Sequence, residues 1–374
     1  MLALSALGGC GAMVRPASPA GMSQRTAVRL SAGVGHSCAL QPSGEVFCWG
    51  LNERGQAGAP LSMERATSAF RVPNINNAVS IAAGAFHACA LLADGSVRCW
   101  GNRATGALGD SMSGESSPTP VRVIGVEDAV SISAGNYHTC ALTAGQRVFC
   151  WGNNHVGQLG LGTEEMARLE AAEVPSLRAM AIAAGGDDTC AIDDQSRLLC
   201  WGSLSRVFED RPTRRPRLIE GATDVLDVQI GNLFTCVRRR DETVWCFGNN
   251  HRSQLGRRSS GPAVMQVPGF DQVIQLAAGF GHVCGLIRDG SVRCVGWNAY
   301  GQSGWATNES QFDDVRVARE LSGVRELAAG NNHTLVRLAD GSVWCFGDDG
   351  YGQCGDGVVG EPASRPTPVR VRGL

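Results

Sequence analysis

Residues 133–160, SAGNYHTCALTAGQRVFCWGNNHVGQLG, carry the phrase that decides the fold, because versions of it return seven times along the chain. Its glycine recurs as Gly33, Gly84, Gly135, Gly185, Gly231, Gly279 and Gly330, at intervals of 51, 51, 50, 46, 48 and 51 residues. A fixed period of this size belongs to solenoids and propellers. Working outward from the phrase, residues 118–124 read as an edge strand, with prolines at its start and alternating valines. Residues 129–133 alternate again, and 138–142 and 147–151 flank a turn. In other copies that turn is Asp94-Gly95, Asp289-Gly290 or Asp340-Gly341. Asp-Gly between two apolar runs marks a hairpin, since glycine accepts positive φ without steric cost. Four short antiparallel strands per repeat make one propeller blade.

The ends of the chain test this reading. Residues 366–374, PTPVRVRGL, match residues 118–126 and stop, whereas 25–33 match 127–135. The sequence therefore predicts an all-β, seven-bladed propeller over 25–374, closed by the C-terminal strand pairing with the first blade. Such closure leaves no free ladder at the junction. The repeated AGxxHxCAL followed by CWGxNxxGQLG resembles the regulator of chromosome condensation repeat, whose members form seven-bladed propellers. The resemblance spans nearly all of 25–374. Blade 4 departs from it with Asp188 in place of the histidine and Trp201-Gly-Ser203 leading into no GQLG loop. Blade 5 has Phe234 for the histidine, and blade 6 reads Cys294-Val-Gly-Trp297.

Twelve of the 15 cysteines form pairs ten residues apart: Cys38 with Cys48, Cys89 with Cys99, Cys140 with Cys150, Cys190 with Cys200, Cys236 with Cys246, and Cys284 with Cys294. Centring the first hairpin on Ser43 sets Cys38 opposite Cys48, within reach of a disulfide. Six pairs in one register favour disulfides and an oxidising compartment over free buried thiols. Closely spaced zinc ligands are absent, so no metal is expected. Blade 7 has Leu335 at the first position. Cys345 and Cys354 then either pair with each other or remain free.

Cys10 stands outside the repeats. Leu7-Gly-Gly-Cys10, after a short apolar run, resembles the end of a bacterial lipoprotein signal. Residues 1–24 therefore read as a truncated signal with lipidation at Cys10 and a flexible tether. No basic residue precedes Cys10, and a plain secretion signal or an unstructured start are the competing readings. No stretch is long enough to span a bilayer. Membrane attachment, if any, is expected only through the lipid.

A net charge of −2 gives no general attraction to nucleic acid. All 33 basic residues are arginine. The histidines His36, His87, His138, His282 and His333 share one repeat position and read as structural. No nucleophile elbow or phosphate loop is present, so neither an enzyme nor a cofactor is expected. Strand alternation sorts the GQLG loops and AGxxH segments onto one face and the Asp-Gly hairpins onto the other. The irregular blades then gather arginine on the first face: Arg206, Arg211, Arg214, Arg215 and Arg217 in the shortened blade 4 loop, with Arg252, Arg257 and Arg258 in the blade 5 loop. Residues 206–258 hold eleven arginines against seven acids. Residues 163–173, TEEMARLEAAE, read as one short amphipathic helix.

These observations predict a monomeric, non-enzymatic, extracytoplasmic binding propeller that recognises a protein or glycan partner. The alternative is a secreted enzyme inhibitor, as in a bacterial branch of similar propellers that blocks β-lactamases. For that reading the candidate aromatics are Tyr137, Phe280, Tyr300 and Trp305, because protein interfaces concentrate Trp, Tyr and Arg. The resemblance also implies guanine nucleotide exchange in its eukaryotic founder. That activity transfers poorly to a chain with no basic tail and a cysteine ladder.

Overall fold

The computed structural model describes residues 29–203, 212–257, 260–307, 309–318, 321–358 and 363–374. Within them the chain forms seven four-stranded antiparallel sheets, each built from consecutive strands. The first blade is β1 (Arg29–Ala32), β2 (His36–Leu40), β3 (Val46–Leu51) and β4 (Arg65–Arg71). The same order repeats in β5–β8 (78–122), β9–β12 (129–173), β13–β16 (181–218), β17–β20 (225–266), β21–β24 (273–317) and β25–β28 (324–370). The first strand of each blade lines a central channel, and the fourth forms the outer edge.

The seven-bladed ring is as expected, but its closure is not. The outer strand beginning each template copy belongs to the preceding blade: β8 (Ser117–Arg122) pairs with β7 (Val97–Gly101), through Arg98↔Arg122 and Cys99↔Val121. Likewise β28 (Ser364–Arg370) pairs with β27 (Val343–Asp348) of its own blade, not with the first blade. A periodic sequence fixes the repeat length but not the phase at which blades are cut. Among the described residues the first strand is an inner one and the last an outer one, and each sheet holds four consecutive strands with none exchanged between blades. The first and last blades join as their neighbours do. Ala69 N donates to Arg372 O at 2.9 Å, just as Ala171 N donates to Ile124 O at 2.9 Å between blades 2 and 3.

The core lies in the seams between blades. Trp49, Trp100, Trp151 and Trp201 are fully buried. Each indole N–H donates to a loop carbonyl of the preceding blade: Gln353 (2.9 Å), Gln56 (3.1 Å), Ala107 (3.0 Å) and Gln158 (2.9 Å) respectively. A buried indole needs such a partner, so the tryptophans join apolar packing to a fixed blade register. Phe247 and Phe346 fill the same position in blades 5 and 7 with a ring that has no N–H to place.

All six expected cysteine pairs face each other across β2–β3-type hairpins and are bonded. Cys38 joins Cys48, Cys89 joins Cys99, and Cys140 joins Cys150, with Cα separations of 4.0, 4.0 and 4.1 Å. Cys190 joins Cys200, Cys236 joins Cys246, and Cys284 joins Cys294, each at 4.1 Å. In blade 5 the register that sets Cys236 opposite Cys246 survives the loss of the repeat histidine, because Phe234 still pairs with Gly248. Cys345 and Cys354 form a seventh disulfide, joining β27 to its outgoing loop. Cys10 and the whole of 1–24 lie outside the described residues.

The expected helix over 163–173 is instead the outer strand β12 (Ala167–Glu173), paired with β11 (Val148–Asn153) through Phe149↔Glu173 and Cys150↔Ala172. Acids followed by Met166 and Leu169 imitate a capped amphipathic turn. Helix propensity is a weak prior, however, and the unpaired ladder of β11 offers backbone hydrogen bonds that a helix there would forgo.

Candidate binding face

Register places the loops as the strand alternation implied. In blade 3, His138 pairs with Gly152 at one end of the hairpin and Leu142 with Val148 at the other. The AGxxH segments and GQLG-type loops thus share one face, and the hairpin turns occupy the opposite one.

Beneath the first face runs a ring of inter-blade contacts built on the repeated histidine. His87, His138, His282 and His333 are buried, and each Nε2 meets a hydroxyl of the next blade: Thr139 (2.8 Å), Thr189 (2.8 Å), Thr334 (2.9 Å) and Ser37 (2.8 Å). The hydroxyls of Thr189, Thr334 and Ser37 donate in turn to Gln158 O, Gln302 O and Gln353 O. Their single hydrogen is committed, so His138, His282 and His333 must donate from Nε2. Burial holds all five imidazoles neutral, pulling His36, His138 and His333 down to about 3 and His87 and His282 to about 4. These histidines are structural, and their rings explain the recurring glycine of the repeat. A Cβ on Gly135 would collide with the His138 ring and stand 2.8 Å from Gly186 O.

The arginines predicted to gather on this face separate into different roles. Arg206, Arg211 and Arg258 lie outside the described residues. Arg214, Arg215 and Arg217 are not in a loop but on the outer strand β16 (Thr213–Leu218), where Arg217 opposes Cys200 and Thr213 opposes Gly202. Arg214 bridges blades 3 and 4: its guanidinium donates to Asn154 O (3.3 Å) and Thr163 O (3.2 Å) and lies 3.4 Å from Glu164. Arg215 and Arg217 are exposed. Arg257 is half-buried and donates to Ala263 O at 3.2 Å.

Arg252 takes a different place, its guanidinium 4.1 Å from the Trp297 ring centroid. Around it the structure assembles an aromatic ledge that the sequence reading found only in part. Trp297 lies 6.1 Å from Phe280 and packs edge-on against Tyr300 at 5.7 Å. Phe86 stacks on Tyr137 at 5.8 Å across blades 2 and 3, and Arg65 covers Tyr351 at 5.4 Å across blades 1 and 7. Of the four aromatics named beforehand, Tyr137, Phe280 and Tyr300 belong to this surface. Trp305 turns aside to pack on Phe312 and to donate its N–H to Val317 O at 2.7 Å. Trp297 and Phe86 occupy variable positions of the repeat, and that variability was the signal available to find them.

The ring encloses a channel of about 460 Å³ lined by the inner strands. At the junction of blades 7 and 1, Glu326 pairs with Arg337 at 3.1 Å and accepts from Leu30 N at 2.8 Å. In the blade 7 loop, Asp349 is pushed up to about 6 by burial, with Arg365 at 3.0 Å. Among the described residues no group of three or more His, Cys, Asp and Glu side chains could hold a metal ion, and no helix is long and apolar enough to cross a membrane.

Comparison with known proteins agrees with this architecture. Profiles described as regulator of chromosome condensation (RCC1) repeat match residues 27–56, 78–103, 129–158, 225–254, 273–302 and 324–353, and also 94–142 and 146–192. The ultraviolet-B receptor UVR8 of Arabidopsis thaliana is 28% identical over 356 residues, covering 93% of this chain and 70% of the receptor. The E3 ubiquitin-protein ligase HERC2 of Mus musculus is 28% identical over 326 residues, which make up 82% of this chain but only 6% of the ligase. The solved structure of yeast RCC1 (Prp20) bound to Kap60 superposes with a TM-score of 0.78 at 19% identity, over 88% of this chain and 84% of that one.

Proposed function

The chain belongs to the regulator of chromosome condensation repeat family, and we propose that it is a monomeric, non-enzymatic extracytoplasmic binding propeller. On this reading it is a bacterial lipoprotein held through Cys10 and recognises a protein or glycan with its AGxxH face. The observation that carries the proposal is the Arg252–Trp297–Tyr300–Phe280 ledge. Half-exposed aromatics beside a stacked arginine are the side chains that dominate interface energies. The seven disulfides support an oxidising compartment, because such bonds persist outside the reducing cytosol. The solved yeast relative was crystallised with a protein partner, Kap60, which accords with protein recognition by this fold.

Affinity capture from the native envelope tests the reading. Trp297→Ala with Tyr300→Ala should lower recovery of the specific partner at least tenfold, while Arg215→Glu tests the rim separately. Recovery unchanged by both would remove the face from consideration. The same aromatic ledge favours one second reading, a secreted inhibitor that covers an enzyme's active-site cleft. Titrating the protein against a panel of secreted hydrolases, β-lactamases included, decides it: stoichiometric inhibition relieved by the Trp297 variant is its signature.

A further inference from the structure

The channel opens on the AGxxH face through one repeat position, the residue that follows each repeat glycine. In blades 3, 5 and 7 that residue is Asn136, Asn232 and Asn331, in blade 6 it is Phe280, and elsewhere it is valine, alanine or glycine. Phe86 and Tyr137, one position further on, line the channel as well. Main-chain bonds from blade to blade hold this rim in place. Asn136 N donates to Gly186 O at 2.7 Å, Phe280 N to Asn331 O at 3.0 Å, and Asn331 N to Gly33 O at 3.1 Å. Deeper in the channel the polar side chains are also committed: Ser31 accepts from Ala83 N, Ser133 from Ala184 N, and Gln275 bonds both N and O of Leu327. The carboxamides of Asn136, Asn232 and Asn331 differ, for they make no hydrogen bond among the described residues.

These groups select a ligand by what they offer. A carboxamide carries donors and an acceptor on one short side chain, and a pair of neighbouring hydroxyls answers both. Around the mouth the amides alternate with rings: Phe86, then Asn136 with Tyr137, Asn232, Phe280 and Asn331. The negative face of an aromatic ring attracts weakly positive C–H groups, which a sugar ring presents between its hydroxyls. Charge is missing from this end of the lining. Among the described residues the only charged side chain lining the channel is Asp227, four positions before its repeat glycine and opposite Arg238. Asp187 and Arg252 lie on the same face but outside the lining. An anion therefore meets no cation at the mouth, and a cation meets no carboxylate. The volume of about 460 Å³ falls within the usual range for small-ligand sites.

We propose that this mouth binds the uncharged end of a sugar chain, an inference that rests on the AGxxH face being the binding face and commits its partner to a neutral glycan. Calorimetric titration of the full chain with maltohexaose, cellohexaose, mannohexaose and chitohexaose tests it. Hexagalacturonate serves as the anionic control and an end-capped glycine–serine hexapeptide as the polypeptide control. At least one neutral saccharide should bind with a Kd of about 1 mM or tighter. Asn136→Ala with Asn331→Ala should weaken that binding about tenfold or more, through two lost hydrogen bonds. Alanine keeps the backbone N–H at both positions, so the thermal midpoint should not move. Binding of none of the neutral saccharides, equal binding of hexagalacturonate or of the hexapeptide, or an affinity unchanged by the asparagine substitutions would overturn the proposal. Envelope capture that depends on Trp297 and Tyr300 is a separate readout. If that dependence holds where no saccharide binds, the face stands and the glycan assignment falls.

Discussion

At the residue scale, four of the repeat histidines pair with a hydroxyl of the next blade, and one exception obeys the same chemistry. Blade 5 replaces the histidine with Phe234, and Val283 stands where the next blade would supply a hydroxyl, so both partners become apolar together. His36 lacks this match: its neighbour in the next blade is Ala88, and neither ring nitrogen has a hydrogen-bond partner among the described residues. Ala88→Thr should therefore stabilise the protein by about 1 kcal/mol, the net worth of a buried hydrogen bond, read as an increased urea midpoint. His87→Phe alone should cost about 1–3 kcal/mol by stranding the Thr139 hydroxyl, and adding Thr139→Val should recover most of the loss. A double-mutant cycle that sums without coupling would refute the pairing.

The same histidines set a pH dependence. Their folded values, near 3 to 4, lie below the ordinary 6.5. Between those limits the unfolded chain binds more protons than the folded one, so stability is fully present above about pH 6.5 and falls as the pH is lowered. Asp349, raised by burial to about 6, opposes the trend, as do Asp227 and Asp348, which burial also raises. Urea midpoints should decline steeply from pH 6.5 to 4.5, and a flat profile over that range would contradict neutral buried imidazoles.

At the element scale, six disulfides staple the hairpin of a blade to itself, whereas the seventh ties β27 to a loop. Blade 7 has Leu335 opposite Cys345, so the bond reaches along the chain to Cys354 instead of across the ladder. Removing it by Cys345→Ser with Cys354→Ser should cost about 2–4 kcal/mol, the usual range for a native bridge. Non-reducing peptide mapping of thiol-blocked protein should return seven linked pairs, Cys236 with Cys246 among them; unlinked thiols would overturn the oxidised state. The arginines of β16 separate at this scale as well. Arg214→Ala should loosen the seam between blades 3 and 4 by about 1–2 kcal/mol through its lost hydrogen bonds to Asn154 O and Thr163 O. The exposed Arg215→Ala should leave the thermal midpoint unchanged.

At the scale of the whole molecule, the ring separates what must be constant from what is free to vary. Glycine, histidine, the cystine pair and the buried indole all face seams or hairpins, where a change in one blade disturbs the next. The AGxxH spacers join blades through their backbones, as where Asn136 N donates to Gly186 O at 2.7 Å and Phe280 N to Asn331 O at 3.0 Å, which leaves their side chains freer to vary. Phe86 with Tyr137, Phe280 with Trp297, and Tyr351 beneath Arg65 stand there on blades 2 and 3, 6, and 7. Partner recognition should accordingly be lost by changes at several blades of one face without a change in stability, and thermal midpoints measured beside capture efficiencies test that.

The sequence by itself determined the fold class, the number of blades, the six cross-strand disulfides and the two-faced sorting of the loops. Each follows from local periodicity: alternation fixes strand faces, Asp-Gly fixes hairpins, and the hairpin register fixes cysteine pairs. Tertiary structure alone decided the phase of the blades and hence the closure, because a repeat reads the same wherever the ring is cut. It also turned residues 167–173 into a strand, since the neighbouring ladder outweighed helical patterning. Arg214 became a seam residue and Arg252 a stacked cation for the same reason. The partner of a long side chain is set by which blade lies beside it, and that adjacency is a property of the closed ring.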